Sequence, residues 1–476
     1  MRYEELRRCR PAFEQFCARY ERFLPRRDQR KYLAPYLLGL SGPLENKSIE
    51  PIALEQEVDV RLLQHFIAAS PWDERPMLIE HRRHVRETMG SPNGVLILDP
   101  TTFPKRGDKT VGVQRQWCGE RGKQDNCVAG SNLSYACATG HTFLDRRLYL
   151  PQSWASDRAR CRAAGVPDDV VFRPDWQLAF EMVRDARVEG IPHAWLTGDE
   201  QFGKSPPLHD WLDELGERYI LELPVRAQVW LTLPKPGRRG PISLLERLAH
   251  LRPGRPSLMR VDKIAEMLPE RVWTPLYVRD ASKGPIVVKA VRLRVRFQRA
   301  DEGLRPEGWL LLSETLDQKR ERKFFASNAG IRCSLDSMVS AGYSRWPIEQ
   351  DHGQGKNETG LGDYETRTWR GWHHHTALSF LAHHFLVTQR NRLGEKIPRD
   401  DGRGDTARDH GYVPVQRQAA GAGGGSHGVP PATQPRRARR ALEAGARSPR
   451  DARGARSRRR RARAGDHGSK LNGDFT

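Results

Sequence analysis

A chain of 476 residues is long enough to bury a sizeable core and to hold two or three domains. Its 80 Lys and Arg against 59 Asp and Glu leave a formal net charge of +21, which points to a polyanionic partner, most simply nucleic acid, without separating DNA from RNA. No apolar run approaches the roughly 18 residues of a membrane span, and seven cysteines with no C-x-x-C pair argue against both a disulfide framework and a zinc site.

Residues 1–90 read as helical and basic. Phe13, Phe16, Cys17, Tyr20 and Phe23 recur at helical spacing, a second apolar run covers 32–40, and amphipathic runs follow at 58–67 and 77–85. Arg26, Arg27, Arg30, Lys31, Arg82 and Arg83 supply the charge. The N-terminus lacks the apolar centre of a signal peptide, so a cytosolic protein is expected.

The stretch from Gly94 to Gly107 organises what comes after. Val95, Leu96, Ile97 and Leu98 form a short uninterrupted apolar run, read as a central strand covered on both faces. Asp99 then stands at its carboxyl end, where open α/β sheets place ligands and chemistry, although a lone strand-end carboxylate can equally be a turn former. A second copy of the pattern exists, because 191–198 is another short apolar segment that ends in Asp199. Two parallel strands that deliver carboxylates to one sheet edge can share a hard cation, which removes their mutual repulsion. Between them the order is strand, strand, strand, then a helix over Asp175–Val188 with Pro174 at its start; a helix from Pro206 and a strand from Arg218 to Pro224 follow. This order predicts a mixed α/β sheet across 91–224, and the chain returns to helix over 336–392.

Residues 225–335 break the rhythm with strands near 230, 272–278, 286–297 and 309–313 among Pro and Gly turns, a β-rich insertion. In 291–297 Arg and apolar residues alternate, so one strand face is cationic. A third acid, Glu349, has Arg345 four residues before it and Lys356 seven after, offsets that share one face of a helix. An exposed ion-pair ladder would show the same spacing. The apolar run 376–387 is expected to pack centrally. The neighbouring histidines, 373–375 and 383–384, point in different directions on a helix and are not read as metal ligands. Residues 393–476 are rich in Gly, Pro and Arg with no apolar period, a basic tail expected to be disordered in isolation.

Several of these segments resemble the bacterial insertion-sequence transposases of the DDE superfamily, from about Phe23 to about Arg392. The most specific is Lys109-Thr-Val-Gly-Val-Gln-Arg-Gln-Trp-Cys-Gly-Glu-Arg-Gly-Lys-Gln-Asp-Asn126, similar to the family's segment after its first Asp. Asp199-Glu-Gln-Phe-Gly203 resembles the second-Asp motif, and Arg345-x3-Glu349-x6-Lys356 followed by Tyr364-Glu-Thr-Arg-Thr-Trp-Arg-Gly-Trp372 resembles the third. There are departures. The family's signature tyrosine has two residues between it and the arginine, whereas only Ser344 separates Tyr343 from Arg345; Pro100 replaces a polar or acidic residue; and the tail is unlike the family's ordered helix, as a shifted reading frame in a GC-rich gene would make it.

The resemblance implies a ribonuclease-H-like core, an N-terminal module for transposon ends, and Asp99, Asp199 and Glu349 as catalytic metal ligands for two Mg²⁺ (or Mn²⁺) ions. It implies cutting and joining of double-stranded DNA, with at least a homodimer when two ends are held together and a location with the bacterial nucleoid. Arg345, Lys356 and Tyr343 would contact DNA near the cut, and Lys105, Arg106, Arg115 and Lys123 beside the first carboxylate. A ribonuclease-H-like nuclease or resolvase that only hydrolyses, or an inactive DNA-binding relic, are the alternative readings.

Overall fold

The computed structural model describes residues 9–232, 256–281, 284–301 and 303–394. Five helices come first: α1 (Arg10–Glu21), α2 (Arg27–Ser41), α3 (Ile49–Glu55), α4 (Val60–Ala68) and α5 (Arg75–Met89). Four strands follow, β1 (Val95–Pro104), β2 (Gln114–Cys118), β3 (Lys123–Cys137) and β4 (Gly140–Leu148), then α6 (Asp175–Val188), β5 (Trp195–Gly198), α7 (Pro206–Leu215) and β6 (Tyr219–Leu223). The next stretch holds β7 (Gln228–Thr232), β8 (Pro256–Arg260), α8 (Val261–Met267), β9 (Thr274–Ala281), β10 (Gly284–Val295), β11 (Gly308–Thr315) and β12 (Arg322–Ser327). Helices α9 (Leu335–Gly342), α10 (Trp346–Thr359) and α11 (Trp369–Leu393) close the described chain. Most of the expected basic tail lies outside the described residues, as does the chain between β7 and β8.

The strands make one ten-stranded mixed sheet in the order β2-β3-β1-β5-β6-β12-β11-β10-β9, with β4 on β3, and a separate pair β7-β8. The parallel part is β1-β5-β6, and the rest is antiparallel. This mixed sheet flanked by helices is a ribonuclease-H-like architecture. Apart from the β7–β8 pair, the described strands of the β-rich stretch join the central sheet, because β12 pairs directly with β6 and carries it onward through β11, β10 and β9. Strand β2 and the β8–α8 and β12 segments were not foreseen; β2 reads QRQWC, a pattern with no apolar alternation to betray a strand at a sheet edge.

Burial explains the layers. Val95 and Ile97 of β1, Ile220 of β6 and Phe325 of β12 share one face with Met338 and Val339 of α9 and Ile348 of α10. Farther along, Val291, Leu293 and Val295 turn to a second cluster with Val261 and Ile264 of α8. The alternating arginines of β10 are therefore on the first face, but they are engaged rather than solvated: Arg292 and Arg294 lie over the Trp309 ring at 4.3 and 4.8 Å, and Arg292 donates to the Cys333 carbonyl. As its composition suggested, α11 is buried along almost its whole length. It shares a core with the N-terminal helices, where Phe385 meets Phe13 and Phe16 at ring distances of 5.3 and 5.2 Å. Its histidines are core residues held neutral by burial, with His374 stacked on Trp72 and its two ring nitrogens facing the Ile67 and Trp72 carbonyls, to one of which the neutral ring donates. All seven cysteines are free thiols.

Candidate active site

Asp99 and Asp199 meet through strand register. In the parallel pair β1–β5, Leu98 is opposite Gly198, so the next residue on each strand is an aspartate. The expectation that Asp99 ends its strand needs correction: β1 continues to Pro104, held by β3, and it is the neighbour β5 that stops. Asp99 thus faces the gap left beyond the end of β5. Side-chain alternation puts it on the face of Val95 and Ile97, under α9 and α10.

The sequence after Gly198 builds the other half. Asp199 caps the single turn Glu200–Gly203, its Oδ1 accepting from the backbone N–H of Gln201 at 3.0 Å and of Phe202 at 3.4 Å. That turn lies directly on β6. A Cβ on Gly203 would come within 1.8 Å of the Glu222 carbonyl oxygen, so only glycine permits the approach. Gln201 in turn donates to Asp175, whose carboxyl is raised to about 6, chiefly by burial.

The third acid sits on the first turn of α10. Arg345, the residue before the helix, spreads its guanidinium among the acids: Nη1 is 2.9 Å from Asp99 Oδ1, Nη2 is 3.3 Å from Glu349 Oε1, and Nε is 3.9 Å from Glu222 Oε2. Glu349 itself is 62% exposed, and Asp99 only 15%. Burial first, then the Asp199 charge, raise the Asp99 carboxyl to about 8, and Arg345 opposes that rise. Asp199 is raised in the same way by burial. Two neighbours were missed from sequence. Glu222 is an acid within an otherwise apolar strand, a legible signal. His352, three residues after Glu349 and so on the same helix face, approaches Asp99 Oδ2 through Nδ1 at 3.5 Å; burial lowers its ring to about 4.

The other expected site residues are arranged unevenly. Lys356 reaches Glu120 at 2.6 Å and the Thr102 carbonyl at 3.0 Å, tying α10 to the β2–β3 hairpin. Tyr343 turns inward, its hydroxyl 2.9 Å from that of Ser313. Lys105 also turns inward: it donates to the Gly362 and Tyr364 carbonyls at 3.1 and 2.6 Å and lies over the Tyr364 ring, which accounts for a structural rather than a phosphate-seeking ammonium. Arg106, Arg115 and Lys123 are exposed. Arg115 shares its face of β2 with Trp117, which is 59% exposed, whereas Lys123 pairs with Cys118 on the opposite face.

Among the described residues no three His, Cys, Asp or Glu side chains are already drawn together as a metal site. The donor chemistry nevertheless fits a hard divalent cation. Asp99 and Asp199 offer carboxylate oxygens side by side, and burial together with the Asp199 charge disfavours an ionised Asp99, a penalty that a bound cation would offset.

A mixed sheet with acids gathered where one parallel strand stops is the framework of ribonuclease-H-like proteins. Residues 19–285 match the model of the DDE superfamily endonuclease family, more than half of the chain, and the protein belongs to that family. Over 215 residues it is 27% identical to the "Probable transposase for insertion sequence element IS701" of Microchaete diplosiphon, a match covering 44% of this chain and 53% of that protein. The chain therefore spans about half the length of this curated relative. Among solved structures, the NurA nuclease from Sulfolobus solfataricus matches with a TM-score of 0.26 at 10% identity over 59% of this chain and 86% of that one, too slight a likeness to carry an argument. Among the described residues no helix is long and apolar enough to cross a membrane.

Proposed function

We propose that the protein is a DNA transposase that cuts the ends of a mobile element and joins them to target DNA, with Asp99, Asp199 and Glu349 as its catalytic carboxylates. What carries this reading is the β1–β5 register, which sets Asp99 beside Asp199, together with the Arg345 fork that links Asp99 to Glu349. Asp99 and Asp199 would hold Mg²⁺ or Mn²⁺, with Glu349 completing the set from its exposed position on α10. Such ions, when bound, make water or a DNA 3′-hydroxyl nucleophilic at neutral pH and steady the departing oxygen. Arg345 neutralises the cluster of acids and is near enough to fork a phosphate once the carboxylates turn to a cation. Lys356, which holds an exposed glutamate and one carbonyl and lies over the Phe103 ring, would exchange the glutamate for a phosphate oxygen. Arg106 and Arg115 present further positive charge to a DNA backbone, and the N-terminal helices would recognise the element's ends. Two such chains would be needed to hold two ends together.

The test uses a supercoiled plasmid carrying the DNA that flanks the protein's own coding sequence. With Mg²⁺, the native protein should release the ends and join them to a second plasmid. Asp199→Asn should abolish both products, by at least about a thousandfold, while keeping the cap, since Asn also accepts from backbone N–H groups. Undiminished cutting by that variant would remove Asp199 from the site. Nicks without joined products would instead favour a hydrolytic nuclease or resolvase.

A further inference from the structure

Asp99 faces Asn132 across the β1–β3 register, and Asn132 is almost wholly buried. Asn132 Nδ2 lies 3.0 Å from His352 Nε2. An amide nitrogen donates and never accepts, so Nε2 has to be the bare, accepting nitrogen of a neutral ring. The ring proton is thereby assigned to Nδ1, the nitrogen that stands 3.5 Å from Asp99 Oδ2. Arg345 already holds the other oxygen, Oδ1, at 2.9 Å. Arg345 thus donates to one oxygen of Asp99, while the His352 ring on α10 stands beside the other. The Phe143 ring, 5.7 Å from that of His352, backs the imidazole and limits its swing.

We infer that His352, its tautomer set by Asn132, is a positioning residue that aims the Oδ2 atom of Asp99 at a divalent cation. At 3.5 Å the two atoms are beyond ordinary hydrogen-bond distance, so the imidazole N–H acts on Oδ2 as an aimed dipole rather than as a formed hydrogen bond. Partners of this outer kind commonly change metal affinity by about 10–100-fold when removed. The inference rests on the reading of Asp99 as a metal ligand, and the experiment separates the two.

Mn²⁺ alone is titrated into the full-length protein without DNA, with free Mn²⁺ read by electron paramagnetic resonance. Asp99→Asn should lose the site. His352→Phe keeps a flat ring against Phe143 but has no donor, and should weaken Mn²⁺ about 10–100-fold. His352→Asn restores a nitrogen donor near the position of Nδ1 and should recover most of the affinity. Asn132→Ala, which leaves the imidazole but frees its tautomer, should fall between His352→Phe and the native protein. Native affinity in His352→Phe alongside a lost site in Asp99→Asn would overturn the inference alone, as would equal weakness in His352→Phe and His352→Asn, because only bulk would then matter. Native affinity in Asp99→Asn would overturn the ligand reading beneath it, and the inference with it.

Discussion

Asp99 is placed where its own charge is unwelcome, and that gives the residue a measurable signature apart from catalysis. Its carboxyl ordinarily titrates at 3.8, but burial and the neighbouring acids hold the proton on until about 8 in the folded state. Between those values the folded chain carries a proton that the unfolded chain has released, so stability falls as pH rises through this window and levels off above it. An asparagine at 99 is neutral throughout. Asp99→Asn should therefore melt higher than the native protein, with the difference in Tm opening from about pH 4 and reaching its full size near pH 8, as scanning calorimetry at a series of pH values would record. A constant difference across that range would mean that Asp99 ionises normally. The same substitution should end cutting, so stability and activity would move in opposite directions, as expected where a site keeps unfavourable charge for function.

At the scale of elements, the glycines decide how closely the acids approach one another. Gly203 is the last residue of the one-turn helix that Asp199 caps, and the space for its missing side chain is taken by the β6 backbone at Glu222. Gly203→Ala would force the turn away from β6 and carry Asp199 off the edge it shares with Asp99. The variant should lose at least about 2 kcal/mol, in the range of overpacked sites, and should lose cutting even where low temperature restores folding; denaturant melts and a plasmid assay at 15 °C would check both. Much of this was legible in sequence. Aliphatic runs ending in Asp99 and Asp199 announced the strands, and the Arg345–Glu349 spacing announced a helix face. The register that makes the two aspartates neighbours was not, because pairing depends on residues a hundred positions away. Nor was the continuation of β1, since the Pro100–Pro104 stretch looks like a turn until β3 holds it. The inward turn of Lys105 was likewise invisible, its partners being backbone carbonyls beyond residue 360.

Across the whole molecule the first and last described helices share one core, and this bears on how the N-terminal region works. Tyr20, Leu33, Leu37 and Phe66 from the N-terminal helices pack in the same cluster as Leu378, Leu381 and Phe385 of α11, and Tyr36 bonds to His375 at 2.7 Å. Helix α11 also packs against β4, so the helices expected to recognise DNA ends are fastened to the sheet that carries the acids. A region so joined should not unfold by itself. Phe385 makes the joint testable, because its ring is buried between Phe13 and Phe16. Phe385→Ala should cost about 3–5 kcal/mol. Because the lost contacts belong to both parts, helix signal in circular dichroism and tryptophan fluorescence should shift together to lower denaturant. Two separated transitions, with only the helical signal moved, would show an N-terminal domain that folds alone and merely rests on the sheet. A single displaced transition would mean that the N-terminal helices and the sheet unfold as one cooperative unit, joined through α11.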